Sequence, residues 1–221
     1  MTKSKQLDAH FAKWRQQTRI PASKFHADGI VDEKAYANSK VKLCFLMKEP
    51  NNPGDGFDFR LWWNEEIKHL FTRRLCEWAA GVQNGFPRYD AIHSSPFERY
   101  RHPALRASAL VNVKKSGGGG SSEYTSFMHA IGATVKQQDI VAELVREEIR
   151  IIDPQVVVMG LSWNGLRERL FPHVVWRASG YAVDIGDWEG RKLIDFYHPS
   201  ARNAPAAAYC LLEKVLKVAK V

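Results

Sequence analysis

The run Val41-Lys-Leu-Cys-Phe-Leu-Met47 constrains this chain more than any other stretch. It is short, apolar and rich in strand-favouring residues, and it stops abruptly at Lys48-Glu49-Pro50. The segment Asn51-Asn52-Pro53-Gly54 that follows is turn-forming and extends neither a helix nor a strand. A buried strand that delivers a carboxylate at its carboxyl end is a common way to build a site in an open α/β sheet. An ordinary strand ending in an ordinary turn is the competing reading, and the rest of the chain bears on the choice.

Helical and strand-like patterns alternate along the remainder. Leu7 to Gln17 reads as an amphipathic helix through Leu7, Phe11 and Trp14. Leu61 to Gly81 reads as one long helix closed by Gly81, and Phe86 to His102 as a surface loop or broken helix. Ala104 to Val113 supplies a second apolar run. Ser116 to Ser122 has the composition of a flexible linker and lacks the Lys-Ser/Thr of a phosphate-binding loop. Thr134 to Ile152 is helical, with Ile140, Leu144, Val145, Ile149 and Ile152 on one face. Asp153-Pro154 ends that helix, Val156 to Gly160 is a buried strand, and Asn164 to Leu170 is a helix. Val174 to Val183 and Lys192 to Tyr197 are further strand candidates, and Pro205 to Lys220 closes the chain as a helix. The alternation implies a three-layer α/β/α fold around a mainly parallel sheet, in one domain spanning 1–221. The N-terminal helical region, 1–40, is expected to pack on it.

Composition narrows the function classes. No apolar run approaches the ~20 residues of a membrane-spanning helix, and the start Met1-Thr-Lys-Ser-Lys-Gln lacks a secretory signal, so a cytoplasmic protein without a membrane partner is expected. Three scattered cysteines, Cys44, Cys76 and Cys210, imply reduced thiols rather than a metal or cluster site, and no cofactor is expected. A net charge of +8 points to a polyanionic partner, nucleic acid first.

Three polar motifs fall at carboxyl ends of expected strands: Lys48-Glu49-Pro50-Asn51, Asn112, and His198-Pro199-Ser200-Ala201-Arg202. In a parallel sheet those ends share one side. Each has a bland alternative, since Glu49 can cap a turn, Asn112 can bond its own loop, and His198 can be structural.

The order and wording of the three motifs resemble the uracil-DNA glycosylase superfamily over most of the chain, from about Val41 to the last helix. Met47-Lys48-Glu49-Pro50-Asn51 stands where that family has Gly-Gln-Asp-Pro-Tyr or Asn-Pro-Gly. Val111-Asn112-Val113-Lys114 resembles its base-reading segment, and His198-Pro199-Ser200 its His-Pro-Ser element. The resemblance implies a uracil-DNA glycosylase-like fold and a monofunctional DNA glycosylase, most simply a monomer, that flips out a pyrimidine and hydrolyses its N-glycosyl bond. It further implies that Glu49 positions water and that His198 donates a hydrogen bond to the departing base. Asn112 reads the base, Asn51 borders the pocket, and Phe57, Phe59 or Trp62 stacks on it. Lys114, Lys115, Pro199, Ser200 and Arg202 contact DNA, with Arg202 where the family has a Leu wedge. Glu in place of Asp or Asn lengthens the catalytic arm by one methylene, which puts the water geometry in doubt. Asn51 in place of Tyr leaves room for a bulky five-substituted pyrimidine, such as a glucosylated hydroxymethylcytosine, beside plain uracil. Antiviral defence is therefore an expectation alongside DNA repair. Asn112 alone does not choose between uracil and cytosine, because its amide offers both a donor and an acceptor. A non-catalytic DNA-binding module on the same fold is the alternative. A Gly-x-Ser-x-Gly hydrolase is not indicated, since no such elbow occurs.

Overall fold

A computed structural model describes residues 1–51, 54–62, 69–119 and 123–221, with the backbone alone at Trp62. The chain opens with helix α1 (Lys3–Thr18), strand β1 (Gly29–Ile30) and helix α2 (Glu33–Ala37). Strand β2 (Leu43–Met47) follows, then helices α3 (Phe59–Trp62), α4 (Leu70–Asn84), α5 (Tyr89–His93) and α6 (Arg101–Arg106). Strand β3 (Ser108–Asn112), helices α7 (Tyr124–Ile131) and α8 (Val135–Ile152), strand β4 (Val156–Gly160) and helix α9 (Asn164–Leu170) come next. Strands β5 (Arg177–Ala178), β6 (Asp184–Trp188) and β7 (Arg191–Asp195) precede the last helix, α10 (Pro205–Ala219).

Local chemistry sets the boundaries. Thr134 and Gln137 form a reciprocal capping box at the start of α8, and Asp153 in a left-handed conformation ends it before Pro154. Pro205 opens α10 at its first turn, where a missing N–H costs nothing.

The sheet order is β1-β3-β2-β4-β7-β6-β5. The four central strands β3, β2, β4 and β7 run parallel, while β1 on one edge and β6 and β5 on the other are antiparallel. The sheet is therefore mostly parallel at its centre, with helices on both faces. Cys44, Leu46, Val111, Val157 and Met159 point to one apolar layer, which α1, α7, α8 and α9 complete. Leu43, Phe45, Leu110, Val158 and Ile194 point to the other, completed by α4, α6 and α10. A strand buried on both faces reads as a continuous apolar run, which is how β2 and β4 read.

Several expectations change. The helix expected from Leu61 to Gly81 is not continuous, because His69 has extended backbone (ψ 140°) and α4 begins after it. The intervening 63–68 lie outside the described residues. Gly81 lies inside α4, where a Cβ would meet the rings of Tyr209 (2.7 Å) and Phe86 (2.8 Å). The C-cap is Gly85, at φ 71°. Phe86 to His102 is partly ordered as α5 and the start of α6. The strand expected over Val174 to Val183 shrinks to Arg177–Ala178, since Gly180 (φ 84°) and Ala182 (φ 56°) turn the chain before β6. The N-terminal region is more than a packed helix: β1 joins the sheet, and Asp28 just before it reaches the end of β3.

Candidate active site

Parallel pairing in register lines up the strand ends. Met47 of β2 stands opposite Asn112 of β3 and Gly160 of β4. The β2–β3 pairing runs past both strands, through Val113 N–H to Met47 O and Lys114 N–H to Lys48 O, each 2.9 Å. Glu49 therefore emerges beside Lys114, whose Nζ lies 2.7 Å from Glu49 Oε2. On the far side, Phe196 N–H donates to Met159 O at 2.9 Å, so the segment after β7 passes the end of β4. Pro199 then packs on Gly160, where a Cβ would meet Pro199 Cδ at 3.2 Å and Met47 Sδ at 2.7 Å. These pairings put the Glu49, Asn112 and His198 segments on one side of the sheet.

The His198 ring is held in a defined protonation state. Burial, and then the Lys48 ammonium, lower its pKa to about 4. The Ser200 N–H donates to His198 Nδ1 at 3.2 Å, which puts the proton of the neutral ring on Nε2. His198 is thus a neutral hydrogen-bond donor through Nε2. Phe71 of α4 lies beside it, with ring centroids 5.7 Å apart. Arg74, one turn on and buried, donates to Ala201 O (2.9 Å) and Asn203 O (2.6 Å), which ties the His198 loop to α4.

Lys48 lies 4.2 Å above the Trp163 ring centroid, and burial lowers its pKa although Glu49 opposes the shift. Asn112 is 2 % exposed, and its backbone N–H (2.8 Å) and side-chain Nδ2 (3.0 Å) both donate to Asp28 Oδ2. Phe57 and Phe59 form an edge-to-face pair 4.9 Å apart. The backbone around them pairs with Ala27, next to Asp28, whose carboxylate accepts from Asn112. The Trp62 side chain lies outside the described residues.

Four assignments need correction. Lys115 is not at the surface for phosphate: it is 0 % exposed, with its ammonium against the Asp28 and Glu148 carboxyl groups. Pro199 is buried against Gly160, so it shapes the His198 loop rather than pressing on DNA. Lys114 turns inward, bonding Glu49 and also Gly117 O at 3.1 Å. The linker-like segment is ordered over 116–119. Gly118 N–H donates to Pro50 O at 2.9 Å, and Gly118 forms a bridge with Asn51. A Cβ at 118 would run into the Glu49 carboxylate, so a side chain there would displace the carboxylate or the segment. Ser200, Arg202 and the side of Asn51 are exposed.

Asp28, Lys48, Phe71, Arg74, Gly118 and Trp163 were not among the expected site residues. Arg74 had a signal, since it shares a helical face with Phe71, Leu75 and Trp78. Asp28 had none, because nothing in its neighbourhood marks it as buried.

A cavity of about 540 Å³ lies behind Lys114, between the end of α1 and the α7–α8 turn, with Arg19, His129 and Lys136 on its walls. It does not include Glu49 or His198. Among the described residues, no three His, Cys, Asp or Glu side chains converge as metal ligands would. No helix among them is long and apolar enough to cross a membrane. Fold and site together define a mixed α/β protein with a polar cluster at the carboxyl ends of a parallel sheet. Neither a scan against protein-family models nor a search of curated proteins finds a match to this chain.

Proposed function

We propose that this chain is a DNA glycosylase with a uracil-DNA glycosylase-like fold, which flips out a pyrimidine and hydrolyses its N-glycosyl bond. The observation that carries the reading is a half-buried, neutral imidazole with its proton on Nε2, on the same side of the sheet as a carboxylate and an amide. Cleavage of an N-glycosyl bond separates a cationic sugar from an anionic base. A donor fixed beforehand toward the developing anion lowers that barrier without needing to reorganise. His198 is that donor. Its neutral state matters, because a cation there would be costly to bury before reaction. Glu49 orients water and supports the sugar cation, Asn112 reads the base edge, and Phe57 or Phe59 stacks on it. The positive charge and the exposed Arg202 supply phosphate contacts, which are salt-dependent and blind to sequence. The substrate is uracil or a five-substituted pyrimidine, including heavily modified cytosine, and the role is repair or antiviral defence. The protein acts as a cytoplasmic monomer.

A second reading, a non-catalytic DNA-binding module, is favoured by one specific observation. Glu49 is neutralised by Lys114 and covered by Gly118, which leaves the carboxylate little freedom to hold water. An abasic-site assay on duplexes containing uracil and modified cytosines separates the two. Catalysis predicts that Glu49→Ala and His198→Ala each lower excision by about 10²-fold or more while DNA affinity stays within a few-fold. Unchanged excision in both variants, or binding without excision of any member of the panel by the wild type, rejects it.

A further inference from the structure

We propose that Asp28 decides which class of pyrimidine Asn112 accepts, by locking the orientation of its side-chain amide. The inference rests on the base-excising reading of the site. A 4-oxo pyrimidine presents an N3–H donor beside an O4 acceptor, whereas a 4-amino pyrimidine presents an amino donor beside an N3 acceptor. The two edges are mirror patterns, and one asparagine satisfies both only if its amide can turn over.

At Asn112 the turn is blocked. Its backbone N–H (2.8 Å) and its Nδ2 (3.0 Å) donate to the same oxygen of Asp28. Reversing the amide would replace a hydrogen bond to a carboxylate with an oxygen facing a carboxylate. One Nδ2 hydrogen is thus committed to Asp28. The other, together with Oδ1, forms a donor–acceptor edge of one fixed sense.

Asp28 cannot swing aside to relieve the constraint. It is 1 % exposed, and its other oxygen pairs with Lys115. Glu148 Oε2 lies 2.7 Å from Lys115 Nζ. Burial pushes the Glu148 carboxyl well above the usual range, so the cluster holds one anion, Asp28, one cation, Lys115, and a neutral acid. The rings of Phe11 and Trp14 close over the Lys115 ammonium, at 5.4 Å and 4.9 Å to their centroids. The amide is therefore fixed by a charge cluster seated in the core, not by a mobile surface group.

The cluster also makes the test practicable. When Asp28 is removed, Glu148 can release its proton and balance Lys115, so Asp28→Ala leaves no lone buried cation. Single-turnover excision is measured for uracil against cytosine, and for 5-hydroxymethyluracil against 5-hydroxymethylcytosine, in one duplex context. The wild type should prefer one member of each pair. Asp28→Ala should narrow that ratio about tenfold or more, the scale of a lost hydrogen bond to a charged group. An equal loss on both members, with the ratio unchanged, overturns the proposal and leaves Asp28 a merely structural residue. A readout on the wild type needs neither a variant nor activity. Amide NMR should show one Asn112 Nδ2 proton exchanging far more slowly than in exposed asparagines. Fast exchange of both protons overturns the lock even if excision is observed. If the wild type excises none of the four bases, the excision reading falls, and with it the proposal's substrate claim, whatever the exchange rates show.

Discussion

The folded chain withholds from His198 a proton that an unfolded chain would take. Burial and Lys48 hold the ring at about 4, against an ordinary value of 6.5. Between those values the unfolded chain binds a proton that the folded one refuses. The stability carried by the neutral ring is therefore complete above pH 6.5 and is lost as the pH falls toward 4. A histidine NMR titration should accordingly place the His198 midpoint near 4, and excision should survive well below pH 6. A midpoint near 6.5 would contradict the assigned protonation state. Lys115 carries a different liability. Lys115→Met removes the cation that faces Asp28, and an uncompensated buried charge of this kind costs about 3–5 kcal/mol. Urea unfolding should show a loss of that order, and a loss below about 1 kcal/mol would mean the cluster is not charged as described. Glu148 was legible in principle: it falls on the α8 face that carries Leu144, Val145, Ile149 and Ile152. A carboxylate on an apolar stripe asks for a buried partner. The identity of that partner was not legible, because Lys115 follows a strand end where charged residues are ordinarily solvated.

Elements, rather than single residues, decide how the cluster is presented. The His198 loop is held by α4 through Arg74 and by β4 through the contact between Pro199 and Gly160. The Glu49 loop is held by the strand-like pairing of 47–48 with 113–114, and by Gly118 lying on the carboxylate. Gly118→Ala should push the 116–118 segment off Glu49, since its Cβ has no room beside the carboxylate. The expected result is a change in excision rate at nearly unchanged global stability, read by single-turnover kinetics alongside thermal unfolding. If both rate and melting temperature match the wild type, the close approach is not a feature of the folded chain in solution. The buried strands β2, β3 and β4 and the helices α8, α9 and α10 were readable from the sequence, because the apolar period is clear there, with the capping box of α8 and Pro205 of α10 marking two of the helix starts. Over its described residues, 116–119, the glycine-rich segment is tied to the Glu49 loop. Composition reports backbone freedom, and here that freedom serves a tight approach to Glu49 rather than a flexible tether. The break before α4 was hidden for a related reason, since the apolar spacing of Phe71, Leu75 and Trp78 extends smoothly back to Leu61.

At the scale of the molecule, the parallel centre of the sheet does what the alternation of strands and helices implied. It sets three chemically distinct motifs, far apart in sequence, at the carboxyl ends of β3, β2 and β7. The antiparallel edges were not legible, because β1 and β5 are two residues long and leave no periodic trace. The charge of +8 lies outside the cluster for the most part, since Lys114, Lys115 and Arg74 are spent on internal partners. The central claim is that the cluster releases a base. Mass spectrometry of the small molecules freed from a mixture of modified DNAs, phage genomes included, tests it directly. One free pyrimidine, or a closely related set, should be released by the wild type and be absent with His198→Ala. No free base from any DNA in the mixture, or the same base released equally by His198→Ala, would contradict it.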